Sequence, residues 1–375
     1  MRIKLFLIIG ISLVILAGCK QFLADIENDL KYWASSVDTW EKLQNAVKNA
    51  GDGDTVMIRG ELKAINKAGC FGEIVIDKNL TIVGVTGRNT DILNANRDEL
   101  GTNAHRIFNV ERGKTLFLKG LTLKNGKTED TRGGGAVYSE GNLFMEDCII
   151  ENCAVVHGGG GIYIDDDGSL TIESCIIQNN TAGGNGGGIF SFKGELTIKG
   201  ASAIKRNTAA HGGGIYLHDA ECTLESGIIG GLGAEDKNTA SDDGGGVYIR
   251  GDGKLNMKGG SITGNEARVN GGGVYSVGGW ISMTGNAVIT PSSGSDLNKP
   301  GKNDVYLLSN QKIKIEGILT QNVAARITPN NYLLGEAVLT GALSSGSPEN
   351  YKRFRVTPQG SKQWSVDSNG KLASP

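Results

Sequence analysis

The stretch 159–172, GGGIYIDDDGSLTI, sets three glycines, two apolar segments and an acidic triplet side by side, and each suggests a chemistry. Glycines beside a strand can cradle a phosphate. A phosphate loop also needs a Lys-Ser/Thr pair and a following helix, and neither is present here. Asp165, Asp166 and Asp167 are the densest carboxylates of the chain. In extended backbone Asp165 and Asp167 share a face, and Asp219 or Glu221 could approach from a turn two repeats away. A hard cation wants about 6–8 oxygens, however, and a triplet running into Gly168 reads as a solvated turn. A proton-abstracting base would have to be Lys or Arg. Lys199 is the candidate, but the column Glu146, Glu173, Lys199, Glu225, Lys258 sets it between two glutamates that keep it charged. Arg206, Arg250 and Arg268 have no pattern that singles them out. His211 aligns with Asn185, Asp243 and Asn270 just before the glycines, which reads as a polar turn requirement. No catalytic, cofactor-binding or metal-binding residue is assigned, and no cofactor is expected.

The glycines belong to something larger. GGAVY (134–138), GGGIY (159–163), GGGIF (186–190), GGGIY (212–216), GGGVY (244–248) and GGGVY (271–275) recur in register. The β-branched markers Val137, Ile162, Ile189, Ile215, Val247 and Val274 are spaced 25, 27, 26, 32 and 27 residues apart, a period that signals a solenoid. Each unit carries three strand signals. The first follows the glycines, as in Ile162-Tyr163-Ile164. The second is Leu170-Thr171-Ile172 and its equivalents. The third is an apolar point at Ile150, Ile177, Ile204, Ile229 and Ile262. An Asn closes most units: Asn180, Asn207, Asn238 and Asn265. Short strands bounded by glycine or Asn turns fit the sides of a coil, with coils stacking about 4.8 Å apart.

This pattern resembles a right-handed parallel β-helix of the pectate-lyase-like superfamily, an all-β solenoid. The glycine–aromatic units with their closing Asn also resemble the repeats of polymorphic outer-membrane protein passengers over residues 125–290. Phe before the Asn is missing, and no membrane-barrel segment follows. The opening LQNAVKNAGDGDTVMI is similar to segments common in the superfamily, whose lyases pair a carboxylate cluster, often with Ca²⁺, with a Lys or Arg base. A hydrolase on this fold would need two carboxylates at a definite separation.

The ends complete the solenoid. The segment 38–51 reads as an amphipathic helix with Trp40, Leu43, Ala46 and Val47 on one face, able to cover the first coil's open edge. Segments 53–62, 80–84, 106–110 and 116–126 read as less regular early coils. The expected β-helix with its N-terminal cap covers 38–299. Beyond it, 300–375 alternates like antiparallel strands and reads as final coils or a C-terminal β cap.

Arg2 and Lys4 followed by the apolar run 5–16 form a signal-peptide pattern over residues 1–18. It ends in Leu16-Ala17-Gly18-Cys19, which resembles the lipobox of bacterial lipoproteins and implies acylation of Cys19 and a membrane anchor. Residues 19–37 would then be the lipidated Cys and a linker. Lys20 stands where Asp would favour inner-membrane retention in that family, so the outer membrane or cell surface is expected. With 38 basic against 40 acidic residues the electrostatic signature of a nucleic-acid binder is absent. Glycine, 58 residues, lacks a collagen period. Cys70, Cys148, Cys153, Cys175 and Cys222 follow no zinc spacing, and their odd number leaves at least one unpaired within a monomer, the expected state.

One column invites a binding function. Tyr138, Tyr163, Phe190, Tyr216, Tyr248 and Tyr275 each follow a β-branched residue; if the latter point inward, the aromatics point outward. At about 4.8 Å per coil they form a stripe about 24 Å long that could hold a glycan or a protein loop. The alternative is a purely structural ladder. The expectation is a non-catalytic, lipid-anchored, adhesin-like surface protein. A polysaccharide lyase or glycoside hydrolase and an envelope scaffold are the alternatives.

Overall fold

The computed structural model describes residues 36–290, 301–302 and 304–374. The signal segment 1–18, Cys19 and nearly all of the linker 19–37 lie outside the described residues. The chain is a parallel β-solenoid. Its coil is clearest in the middle: a first strand Ile162–Ile164, a second Ser169–Glu173, a third Ile176–Gln178 and a fourth Thr181–Ala182. First and second strands of successive coils form one 20-stranded sheet, third strands a 9-stranded sheet and fourth strands a 6-stranded sheet.

Register follows the repeat residue for residue. Ile162 pairs with Ile189, Ile189 with Ile215, Ile215 with Val247 and Val247 with Val274, in parallel ladders. All five are fully buried. A register slip by one residue would send this apolar column outward, so burial fixes the register.

The fourth strand is a correction to the three-strand reading. Asn180 does not close the coil but turns it. Its Nδ2 donates to Ile150 O at 3.1 Å and to Asn207 Oδ1 at 3.1 Å, and its N–H donates to the same oxygen at 3.0 Å. Asn207 and Asn238 repeat this toward Asn238 and Asn265. The fully buried amides thus carry the corner's hydrogen bonds from coil to coil. The chain then continues for two residues, and Thr181-Ala182, Thr208-Ala209 and Thr239-Ala240 recur there directly after the Asn, a signal the sequence reading missed.

The glycine clusters have two separate causes. Gly159 holds φ +67°, a left-handed turn that other residues seldom adopt. A Cβ on Gly160 would lie 2.2 Å from Gly187 O of the next coil, so the coils meet backbone to backbone there.

At the N-terminal end the helix Trp40–Asn49 starts at Thr39, whose hydroxyl accepts from Lys42 N–H at 3.3 Å. Trp40, Leu43 and Val47 are buried in the same core as the first coils. At the other end the antiparallel reading is overturned. Val305–Leu307, Ile313–Leu319, Ala325–Pro329, Leu339–Gly341 and Phe354–Val356 pair in parallel with their predecessors. Alternation marks a half-buried strand without giving its direction. Ser365–Val366 and Leu372–Ala373 do form an antiparallel pair.

Candidate binding surfaces

The aromatic column is a continuous stack. Centroids lie 5.7 Å apart for Tyr138 and Tyr163, 4.6 Å for Tyr163 and Phe190, and 5.0 Å for Phe190 and Tyr216. The series runs on at 4.9 Å to Tyr248 and 5.1 Å to Tyr275. Tyr306 extends it by another 5.1 Å, a member the sequence reading missed because the glycine cluster is gone there. Most ring faces are therefore spent on one another. Tyr138, Phe190 and Tyr216 are buried, whereas Tyr163, Tyr248 and Tyr275 are partly exposed. What the column offers outward is ring edges and hydroxyls. Burial raises the phenol pKa of Tyr163 and Tyr248, so these hydroxyls stay protonated donors. At the head of the stack the guanidinium carbons of Arg106 and Arg132 lie 5.2 and 5.1 Å from the Tyr138 ring centroid, and Tyr138 O–H donates to Asp165 at 2.6 Å.

The acidic triplet is engaged locally. Asp165 takes the Tyr138 hydroxyl, and Asp166 and Asp167 face Arg112 at 3.6 and 3.3 Å. Asp167 sits at φ +65° in a tight turn. Asp219 instead accepts from Asp252 N–H at 2.9 Å. Among the described residues no three His, Cys, Asp or Glu side chains are grouped to hold a metal. Arg206 meets Asp236 at 2.8 Å and Arg268 meets Asp242 at 3.0 Å. His211 packs 5.1 Å from the Tyr248 ring.

A second surface lies on the outer face of the second strands, and the sequence reading missed it. In the ladder Leu116-Phe117-Leu118 against Leu143-Phe144-Met145 the leucines and methionine turn inward and the phenylalanines outward. Phe117 and Phe144 stack at 4.7 Å and 12°, and Phe117 remains 45% exposed. Thr81 precedes them and Thr171 follows in register. Together they floor an open groove of about 370 Å³, whose wall includes Lys119, Glu146, Glu173 and Lys199. Lys119 pairs with Glu146 at 2.8 Å and Lys199 with Glu173 at 2.8 Å, while Glu146 and Glu173 are direct ladder neighbours. The Glu173 hydrogen bond raises the Lys199 pKa and so favours its charged form. The rim thus reads plus, minus, minus, plus along the stack, around an aromatic floor. A lone Phe at one ladder position carries no repeat signal, which is why register was needed to find the pair.

Comparison with curated proteins and with solved structures finds no match. Residues 83–226 match the family model described as right handed beta helix region. That segment holds the groove apart from Thr81, the acidic turn and the head of the aromatic stack, and with the parallel ladders on either side of it the chain is an all-β protein of the right-handed parallel β-helix kind.

Proposed function

We propose that this chain is a lipid-anchored envelope protein that binds without cleaving, in the manner of an adhesin, with a glycan or a host or matrix protein as ligand. The observation that carries the reading is the stacked Phe117–Phe144 pair, open to solvent on a rigid sheet and rimmed by charges that are already paired. Aromatic floors with polar rims suit sugar rings and peptide side chains, which bring an apolar face and hydrogen-bonding edges. The partly exposed edges and hydroxyls of Tyr163, Tyr248 and Tyr275 would add contacts on the neighbouring face of the coil. Repetition lets many weak contacts sum. Cys19 would supply the anchor, at the outer membrane or cell surface, with the protein a monomer.

A second reading has its own observation. Glu146 and Glu173 stand side by side beside an aromatic groove, an arrangement that a glycoside hydrolase could use. Both carboxylates are already engaged in ion pairs, Glu146 with Lys119 and Glu173 with Lys199, each at 2.8 Å. Protein shaved from intact cells by protease, followed by glycan and matrix-protein arrays probed with residues 20–375, tests the choice. Surface exposure with binding lost in Phe117→Ala and Phe144→Ala supports the binding reading. New reducing ends, or unsaturated products absorbing in the ultraviolet, would replace it with an enzyme. Protection from protease without any ligand would leave an envelope scaffold.

A further inference from the structure

Beneath the groove rim, where the second strand bends into the third, Cys148 and Cys175 occupy the same corner of adjacent coils. Their neighbours Ile149 and Ile176 are ladder partners, which sets the two cysteines one above the other. The Cys148 N–H donates to Cys175 Sγ at 3.4 Å. Each thiol donates to a carbonyl two residues back, Cys148 to Glu146 O at 3.3 Å and Cys175 to Glu173 O at 3.3 Å. Both are fully buried and both are free thiols in the structure.

We infer that Cys148 and Cys175 form a coil-to-coil disulfide when the chain folds in a thiol-oxidising medium, and that this bond pins the spacing of the rim carboxylates Glu146 and Glu173. Adjacent parallel strands put in-register Cα atoms about 4.8 Å apart, inside the roughly 4.4–6.8 Å window that a disulfide spans. Closure would turn both thiols away from the carbonyls of Glu146 and Glu173 that they now meet. Among the described cysteines no other pair qualifies. The Cys153 N–H meets Asn180 Oδ1 at 3.0 Å in the next coil, and Cys222 lies in register between Leu196 and Leu255. Cys70 donates toward Glu41 at 3.8 Å, beside the N-terminal helix. The five described cysteines thus resolve into one pair and three single buried residues.

The chemistry balances with a disulfide oxidant such as oxidised glutathione. The Cys175 thiolate attacks one sulfur of the oxidant and one glutathione thiolate leaves. The Cys148 thiolate then attacks the Cys175 sulfur of the mixed disulfide and displaces the second. The two cysteines are oxidised, one oxidised glutathione is reduced, and the two thiol protons end on the two glutathiones. Because both sulfurs are buried once the coils stack, exchange belongs to folding.

The test is cell-free synthesis of the full chain in an oxidising or a reducing glutathione buffer, with free thiols then alkylated and peptides mapped. A Cys148–Cys175 linked peptide in the oxidising buffer, with Cys70, Cys153 and Cys222 alkylated, is the expected result. Alkylation of all five, or linkage of either residue to another cysteine, overturns the inference. Cys175→Ser is a fair control, because Ser202 already occupies this corner in the next coil and its Oγ accepts from Cys175 N–H at 3.2 Å. That variant keeps the β-helix circular dichroism and leaves Cys148 alkylated in both buffers. A linked Cys148 in that variant would also count against the pair.

Discussion

Tyr216 is stacked on both faces: its ring centroid lies 4.9 Å from Tyr248 and 5.0 Å from Phe190, each 6° from parallel. A ring so placed is held by its neighbours before any ligand arrives. Tyr216→Ala is therefore expected to cost about 3–5 kcal/mol, the range for removing a buried aromatic. Tyr216→Phe keeps the stack and stays close to wild type. Denaturant unfolding of both variants checks this. An alanine variant as stable as wild type would mean that the stack contributes nothing to the fold.

The buried amides make a sharper case. Asn207 Oδ1 accepts the N–H and Nδ2 of Asn180, and its own Nδ2 donates to Ile177 O and Asn238 Oδ1. Asn207→Ala strands several of these groups, each at about 1–3 kcal/mol when left unpaired in the interior. Asn207→Asp keeps the acceptor but loses both side-chain donors. Both variants are expected to unfold at markedly lower denaturant, and native-state hydrogen exchange should show the loss centred on the Asn180 and Asn207 corners.

These two columns were legible in sequence, because burial repeats them at every coil. Val137, Ile162 and Ile189 mark the inward position, and the aromatic after each is then fixed by strand alternation. Which way a ring's faces were spent was not legible, since that depends on the coil spacing and ring tilt. Phe117 and Phe144 escaped for a different reason: their column reads Thr81, Phe117, Phe144, Thr171, Thr197, so only the ladder shows that two rings meet. The C-terminal strands kept the alternation but lost the glycine turn. There Asp304 replaces it, accepting from Gly272 N–H at 3.1 Å.

Asp304 carries a pH prediction. It is fully enclosed, and burial pushes its pKa up to about 7, although Thr328 and Gly272 hydrogen bonds pull the other way. A carboxyl raised in the folded state binds its proton more tightly there than in the unfolded chain. Its penalty is absent below the unfolded pKa near 4, grows as pH rises, and levels off above about 7. Stability from this group therefore falls between about pH 4 and 7, by an amount on the order of a few kcal/mol. Urea unfolding of wild type and Asp304→Asn across that window isolates it, because carboxylates with lowered pKa, such as Glu266, contribute equally to both. The difference between the two proteins should grow with pH, and a difference that stays flat would place the Asp304 pKa in the ordinary range.

The glycines allow a separation of space from backbone conformation. Gly160 has a φ outside the left-handed region, but a Cβ there meets Gly187 O at 2.2 Å and Thr181 backbone atoms at 2.8 and 2.9 Å. Gly53 is the reverse: φ is +85° and nothing lies within 4 Å of the added carbon. Gly53→Ala therefore costs only the conformational strain of one residue, about 1–2 kcal/mol, and leaves every ladder in place. Gly160→Ala must push two coils apart along backbone that cannot rotate away, and the displacement falls beside the Asn180 corner and the Tyr163 stack. It is expected to cost more than Gly53→Ala and to disturb the tyrosine near-ultraviolet dichroism, which Gly53→Ala should leave unchanged. Equal losses in the two variants, with unchanged dichroism in both, would mean that the coils can part without disturbing the stack. The close backbone approach at Gly160 would then not be what the repeated glycines are for.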